Sequence, residues 1–143
     1  MQALEKVLYT GRATATGGRQ GSVVSSDKAL NVTLTVPKEL GGAGGTGTNP
    51  EQLFSAGYAA CFLGALKVVA ERENKKFKAE PIVDCMVGIG PIPGGFSLKV
   101  EIQITVLSMD KAVLTDLVEK AHHVCPYSNA TRNNIEVTLT VKT

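Results

Sequence analysis

The chain has 143 residues, 43% hydrophobic and 20% charged, which excludes a disordered or fibrous protein and predicts one folded domain over residues 1–143. A net charge of +2 gives no reason to expect nucleic acid or an anionic membrane as partner. The densest basic run, "RENKKFK" at 72–78, has glutamates beside it and reads as a solvated helix end.

"MQALEKVLYT" is interrupted by Glu5 and Lys6 and does not read as a secretory signal, so a cytoplasmic protein is expected. The stretch "KVLYTGRATATGGRQGSVVSS" and then "ALNVTLTV" alternate, predicting a short antiparallel meander with turns at Gly17-Gly18 and near Asp27-Lys28. Val32, Leu34 and Val36 fall on one face, with Asn31, Thr33 and Thr35 on the other. The glycine-rich stretch from Gly41 to Asn49 reads as a mobile loop beside a site.

A first helix is well signalled. Thr48 or Asn49 can cap it, Pro50 suits its first position, and Glu51 lies in the first turn, where the positive helix end favours a carboxylate. It is expected to reach about Asn74. From Leu53 to Leu66 it has almost no polar face, which predicts burial nearly all round. Lys67 and the many small residues argue for a soluble core helix rather than a membrane span of roughly 18 apolar residues.

"PIVDCMVGIG", the turn "PIPGG" and "FSLKVEIQITVL" follow as two strands. In the second, Phe96, Leu98, Val100, Ile102, Ile104 and Val106 are expected to face inward. Ser108 or Asp110 caps a second helix with Val113, Leu114, Leu117, Val118 and Ala121 on its apolar face. Pro126 ends it, a short helical turn runs to about Arg132, and "NIEVTLTV" makes the last strand. The order is that of an α+β fold without parallel crossovers, with antiparallel sheets around a long, central, buried helix.

Three cysteines remain to be placed. Cys85 alternates in phase with Val83, Val87 and Ile89 and reads as core. Cys61 lies in "YAACFLGAL", where burial raises a thiol's pKa unless a cation is brought close. Cys125 stands at the helix break in "AHHVCPYS", at the N-cap of the short helix, where backbone N–H groups favour thiolate. A metal-binding module built on His122, His123 and Cys125 is the alternative. Positions 122 and 125 share a helix face and 123 does not, whereas a zinc site needs three or four ligands, so no metal is expected.

Taken together, "NPEQLFSAGYAACFLGAL" at 49–66, "VCPYSNATRNN" at 124–134 and "TGGRQGSV" at 16–23 resemble the organic hydroperoxide resistance proteins, the Ohr branch of the OsmC/Ohr superfamily. The resemblance spans the whole chain and implies an OsmC/Ohr-like fold as an intertwined homodimer. It implies a thiol peroxidase that reduces organic hydroperoxides to alcohols, with Cys61 peroxidatic, Cys125 resolving, Arg19 activating and Glu51 as the arginine's carboxylate partner. No bound cofactor is implied. The reductant is expected to be an external lipoyl-type dithiol, dihydrolipoamide on a lipoylated protein. An OsmC-like peroxidase of broader specificity is the runner-up.

Glu51 and Cys61 are ten residues apart, about 15 Å along one straight helix, so either the helix start bends or the site is assembled across a dimer. Which subunit would supply Arg19 is left open. Leu40, Phe54, Tyr58, Phe62 and Tyr127 are the expected lining of an apolar substrate pocket, which favours bulky alkyl, aryl or fatty-acid hydroperoxides over hydrogen peroxide.

Overall fold

The structure, a computed structural model, describes residues 3–143. These fall into two compact units, one ending at Pro50 and the other running from Glu51 to Thr143.

The N-terminal unit holds the expected meander, β1 (Ala13–Thr16), β2 (Ser22–Ser25) and β3 (Asn31–Thr33), antiparallel in the order β1-β2-β3. A single 3-10 turn, Gly18–Gln20, joins the first two strands, and a turn with Lys28 at φ 62° joins the next. β3 is shorter than its alternation suggested. After Thr33 the backbone pairs instead with the far end of the glycine-rich stretch, through a parallel bridge between Leu34 and Thr48. Among the described residues of this unit, Leu34 is the buried one.

The C-terminal unit packs α1 (Pro50–Arg72) with a three-stranded sheet and two further helices. α1 ends where its backbone enters the left-handed region at Asn74 (φ 55°). The Lys75 N–H donates to Ala70 O and the Asn74 N–H to Glu71 O, which closes the last open carbonyls. By length and composition α1 could cross a bilayer. Its Tyr58, Phe62, Ala65, Leu66, Val69 and Ala70 nevertheless pack into the core. Burial all round is not what the single chain provides: Ala56, Ala60, Gly64 and Val68, one helical turn apart, are exposed. An apolar helix with one bare face has sequence for more cover than one chain supplies.

β4 (Ile82–Ile92) and β5 (Gly95–Thr105) form a hairpin turned by Pro93 and Gly94, whose φ of 82° suits the second corner of a type II turn. α2 (Lys111–Val124) starts at Asp110, whose carboxylate accepts from the Ala112 and Val113 N–H groups. α3 (Pro126–Thr131) follows directly, and β6 (Glu136–Lys142) completes the sheet. Here the expectation of purely antiparallel sheets is corrected, because β6 pairs parallel to β5 in the order β4-β5-β6. The α2–α3 segment between them is long enough to carry the chain back across the sheet, and strand alternation is blind to that direction.

The pairing stacks one face of the sheet into rows: Val83, Ile104 and Val141; Cys85, Ile102 and Leu139; Val87, Val100 and Val137. These rows meet Leu114, Leu117, Val118 and Ala121 of α2 and the buried face of α1 in a single core. Each fully buried Leu, Ile or Phe contributes about 1.5–3 kcal/mol relative to exposure. Phe96, expected inward, is 73% exposed. It keeps the right phase, but this end of the face opens into a cleft.

Candidate active site

The C-terminal unit brings two of the three sulfurs together. Cys61, two turns before the end of the buried stretch of α1, lies with its Sγ 3.7 Å from that of Cys125, and both are free thiols. A disulfide needs about 2.05 Å, so a small side-chain movement would join them. Cys125 is fully buried and Cys61 half-buried.

Cys125 is both the last residue of α2's cap and the N-cap of α3, because Pro126 cannot continue α2 yet suits the first position of the next helix. Its sulfur nevertheless accepts no capping hydrogen bond. The expected role of the α3 N–H groups is thereby corrected: the Tyr127 N–H is directed at Cys61 instead. Burial lifts the Cys61 thiol above its ordinary value, and the Tyr127 N–H opposes that shift. The adjacent Cys125 raises it further, since two sulfurs so close are not both easily anionic.

The neighbourhood is held by three further residues that pattern alone did not single out. Gly57 lies beneath the Tyr127 phenol, and a Cβ there would stand 2.8 Å from the phenolic oxygen. Ser128 and Thr131, both buried on α3, meet the Tyr58 hydroxyl at 2.9 and 3.1 Å. A glycine on a helix face and hydroxyls three residues apart carry no mark in one sequence that distinguishes them from ordinary helix composition.

Of the expected pocket residues, Phe54 and Tyr127 line an open cleft of about 530 Å³, with Phe96, Leu98 and Ile135 on its other walls. Their rings lie 6.0 Å apart. Tyr58 and Phe62 are corrected: both are fully buried in the core, because they lie on the inner face of α1. Leu40 closes a 3-10 turn, Lys38–Leu40, in the N-terminal unit and is 42% exposed. Arg19 sits in that unit's other 3-10 turn, Gly18–Gln20.

Glu51 occupies the first turn of α1. α1 runs unbroken from Pro50 to Arg72, and ten residues of helix set Glu51 and Cys61 about 15 Å apart along its axis. The His122 carbonyl accepts from the Arg132 guanidinium, and burial together with the Arg132 and His123 charges holds the His122 imidazole below its ordinary pKa. Among the described residues no group of three or more His, Cys, Asp or Glu side chains is placed to hold a metal ion.

Comparison with known proteins places this arrangement. The family model described as OsmC-like protein matches residues 42–140. The organic hydroperoxide resistance protein of Xanthomonas axonopodis pv. citri is 65% identical over 141 residues, covering 99% of each chain. Among solved structures, an organic hydroperoxide resistance protein of Legionella pneumophila superposes with a TM-score of 0.92 at 44% identity, covering 96% of this chain and all of that one. One from Elizabethkingia anophelis superposes with a TM-score of 0.91 at 51% identity, covering 96% and 99%. Extensive identity over the full length, with the same fold, makes this chain a member of the organic hydroperoxide resistance proteins within the OsmC-like family.

Proposed function

We propose that the chain is a thiol-dependent peroxidase that protects against organic hydroperoxides by reducing them to alcohols in the cytoplasm. The observation that carries this reading is the 3.7 Å approach of Cys61 and Cys125, two free thiols between α1 and α3. In the first step the Cys61 thiolate attacks the distal peroxide oxygen. The O–O bond breaks, the alkoxide leaves and takes a proton as alcohol, and Cys61 is left as sulfenic acid. The Cys125 sulfur then attacks Cys61, the S–O bond breaks, and water leaves as the disulfide forms. An external dithiol of the dihydrolipoamide class, carried on a lipoylated protein, reopens it by exchange and departs as a cyclic disulfide.

Burial alone works against the Cys61 thiolate, so the reading needs a cation. Arg19 is the proposed source, its guanidinium fork able to hold both thiolate and peroxide oxygen, with Glu51 orienting it. A homodimer is part of the proposal. It is supported by the bare Ala56–Ala60–Gly64–Val68 face of α1 and by the unbroken helix between Glu51 and Cys61. The reading treats residues 1–143 as one OsmC/Ohr-like domain, as the family match across 42–140 supports. The cleft beside Tyr127 favours bulky alkyl, aryl or fatty-acid hydroperoxides, because an apolar wall rewards apolar surface on the substrate.

The test is hydroperoxide turnover with dihydrolipoamide against thioredoxin as reductant, on wild type and Cys125→Ser. Wild type is expected to cycle with dihydrolipoamide and to prefer cumene hydroperoxide to hydrogen peroxide. Cys125→Ser should react once and then stall or overoxidise. Equal use of hydrogen peroxide, or undiminished cycling by Cys125→Ser with dihydrolipoamide, would sink the reading.

A further inference from the structure

Tyr58 and Cys61 are three residues apart on α1, and Cys125 and Ser128 are three residues apart across the start of α3. Each sulfur therefore has a hydroxyl one helical turn away on the same face, and the hydroxyls meet as the sulfurs do. The Tyr58 hydroxyl donates to Ser128 Oγ at 2.9 Å and shares a hydrogen bond with Thr131 Oγ1 at 3.1 Å. Thr131 Oγ1 also lies 2.9 Å from the Tyr127 carbonyl, so its one proton is shared between that backbone acceptor and the Tyr58 oxygen. Tyr58 and Ser128 are fully buried and Thr131 is 5% exposed, so water does not compete for these bonds.

α3 has six residues, too few to hold a helix on propensity alone, and its placement depends on anchors. The Cys125 side chain is packed in the core but makes no capping hydrogen bond, and its one polar contact is with Cys61. We propose that the Tyr58–Ser128–Thr131 hydroxyl cluster is a positioning device for disulfide closure, keeping the Cys125 sulfur within reach of Cys61 while the latter carries oxygen. The inference rests on the peroxidase reading for its place in the cycle: the tie acts on attack of Cys125 sulfur at the sulfenic acid, where the S–S bond forms and water leaves. The three residues touch no reacting atom and act through the position of α3.

Tyr58→Phe removes one oxygen and leaves the buried ring. After a single-turnover pulse of cumene hydroperoxide, closure counted as loss of the second of the two thiols should be about tenfold slower than in wild type, the size of one lost buried hydrogen bond. Dimedone should capture correspondingly more Cys61 sulfenic acid. Ser128→Ala should act in the same direction, and the double variant should be little slower than the slower single variant, since both break one tie. A merely structural role would lower Tm and leave the ratio of disulfide to trapped sulfenic acid unchanged.

A second arm closes the dithiol with diamide, which takes up the two electrons and two protons without any peroxide. There too Tyr58→Phe should be slower than wild type. If wild type closes with diamide but not with cumene hydroperoxide, the peroxidase reading falls and the diamide arm still decides the positioning role. Closure by Tyr58→Phe and Ser128→Ala as fast as wild type, or faster, overturns the proposal.

Discussion

Cys85 and Cys61 begin from the same physical handicap and end in different chemistry. Both sulfurs are partly buried among apolar side chains, and in both burial is the largest influence, raising the thiol. For Cys85 nothing opposes it: the sulfur sits in a row between β4, β5 and β6, beside Ile102, and is pushed up to about 11. For Cys61 the Tyr127 N–H pulls the other way, and a second sulfur stands within 3.7 Å. The difference lies in the element each faces. No N–H group is directed at the Cys85 sulfur, whereas the first turn of a helix has N–H groups to spare and one of them reaches Cys61.

The largest contrast should appear on exchanging each sulfur. Cys61→Ser is expected to lower cumene hydroperoxide consumption on the order of 10³-fold or more, and Cys85→Ser to leave it within about twofold. Loss of activity in the Cys85 variant without loss of folding would erase the distinction. Next in size is the cation. Arg19→Ala should slow the peroxide reaction about 10²-fold and move the pH midpoint of Cys61 alkylation upward, with Cys85 unmoved. An unchanged midpoint would remove Arg19 from the site.

A smaller effect tests the core thiol. The Cys85 proton is held more tightly in the folded chain, about 11, than at the ordinary value of 9.0, so its stabilising contribution is complete below pH 9 and is lost as pH rises through 11. Discounted for a half-exposed sulfur, the loss amounts to about 1 kcal/mol, and Cys85→Ala should flatten that part of the profile in urea unfolding. Smallest in its bearing on chemistry is Asp110→Ala, which removes the α2 cap. It should lower stability by about 1 kcal/mol and leave Cys61 alkylation unchanged, separating fold support from site support.

Much of this molecule could be read from local rules. The cap at Asp110, proline at the starts of α1 and α3, the alternation of β5 and the helical spacing of Leu114, Leu117 and Val118 each follow from neighbours within a turn or two. The cysteine motifs were legible for the same reason, as short strings in distinct helical contexts. The parallel direction of β6 was not, because alternation has no sign along the strand. Nor could helical spacing sort the aromatics of α1. Phe54 reached a cleft while Tyr58 and Phe62 went to the core, although all three lie in one apolar run.

By itself, then, the sequence determined where the elements begin and end, which faces are apolar, and which three sulfurs were available. The motifs it resembles also paired Cys61 with Cys125, while the tertiary structure alone set their 3.7 Å separation, directed the α3 N–H to Cys61 rather than to its own N-cap, and tied the two helices through the Tyr58 hydroxyl. The physical reason is range. Caps, turns and periodicity act over a few residues, while the Cys61–Cys125 and Tyr58–Ser128 contacts close over 64 and 70 residues of chain. How closely partners approach at that separation is set by how the whole core packs, and no local pattern records it.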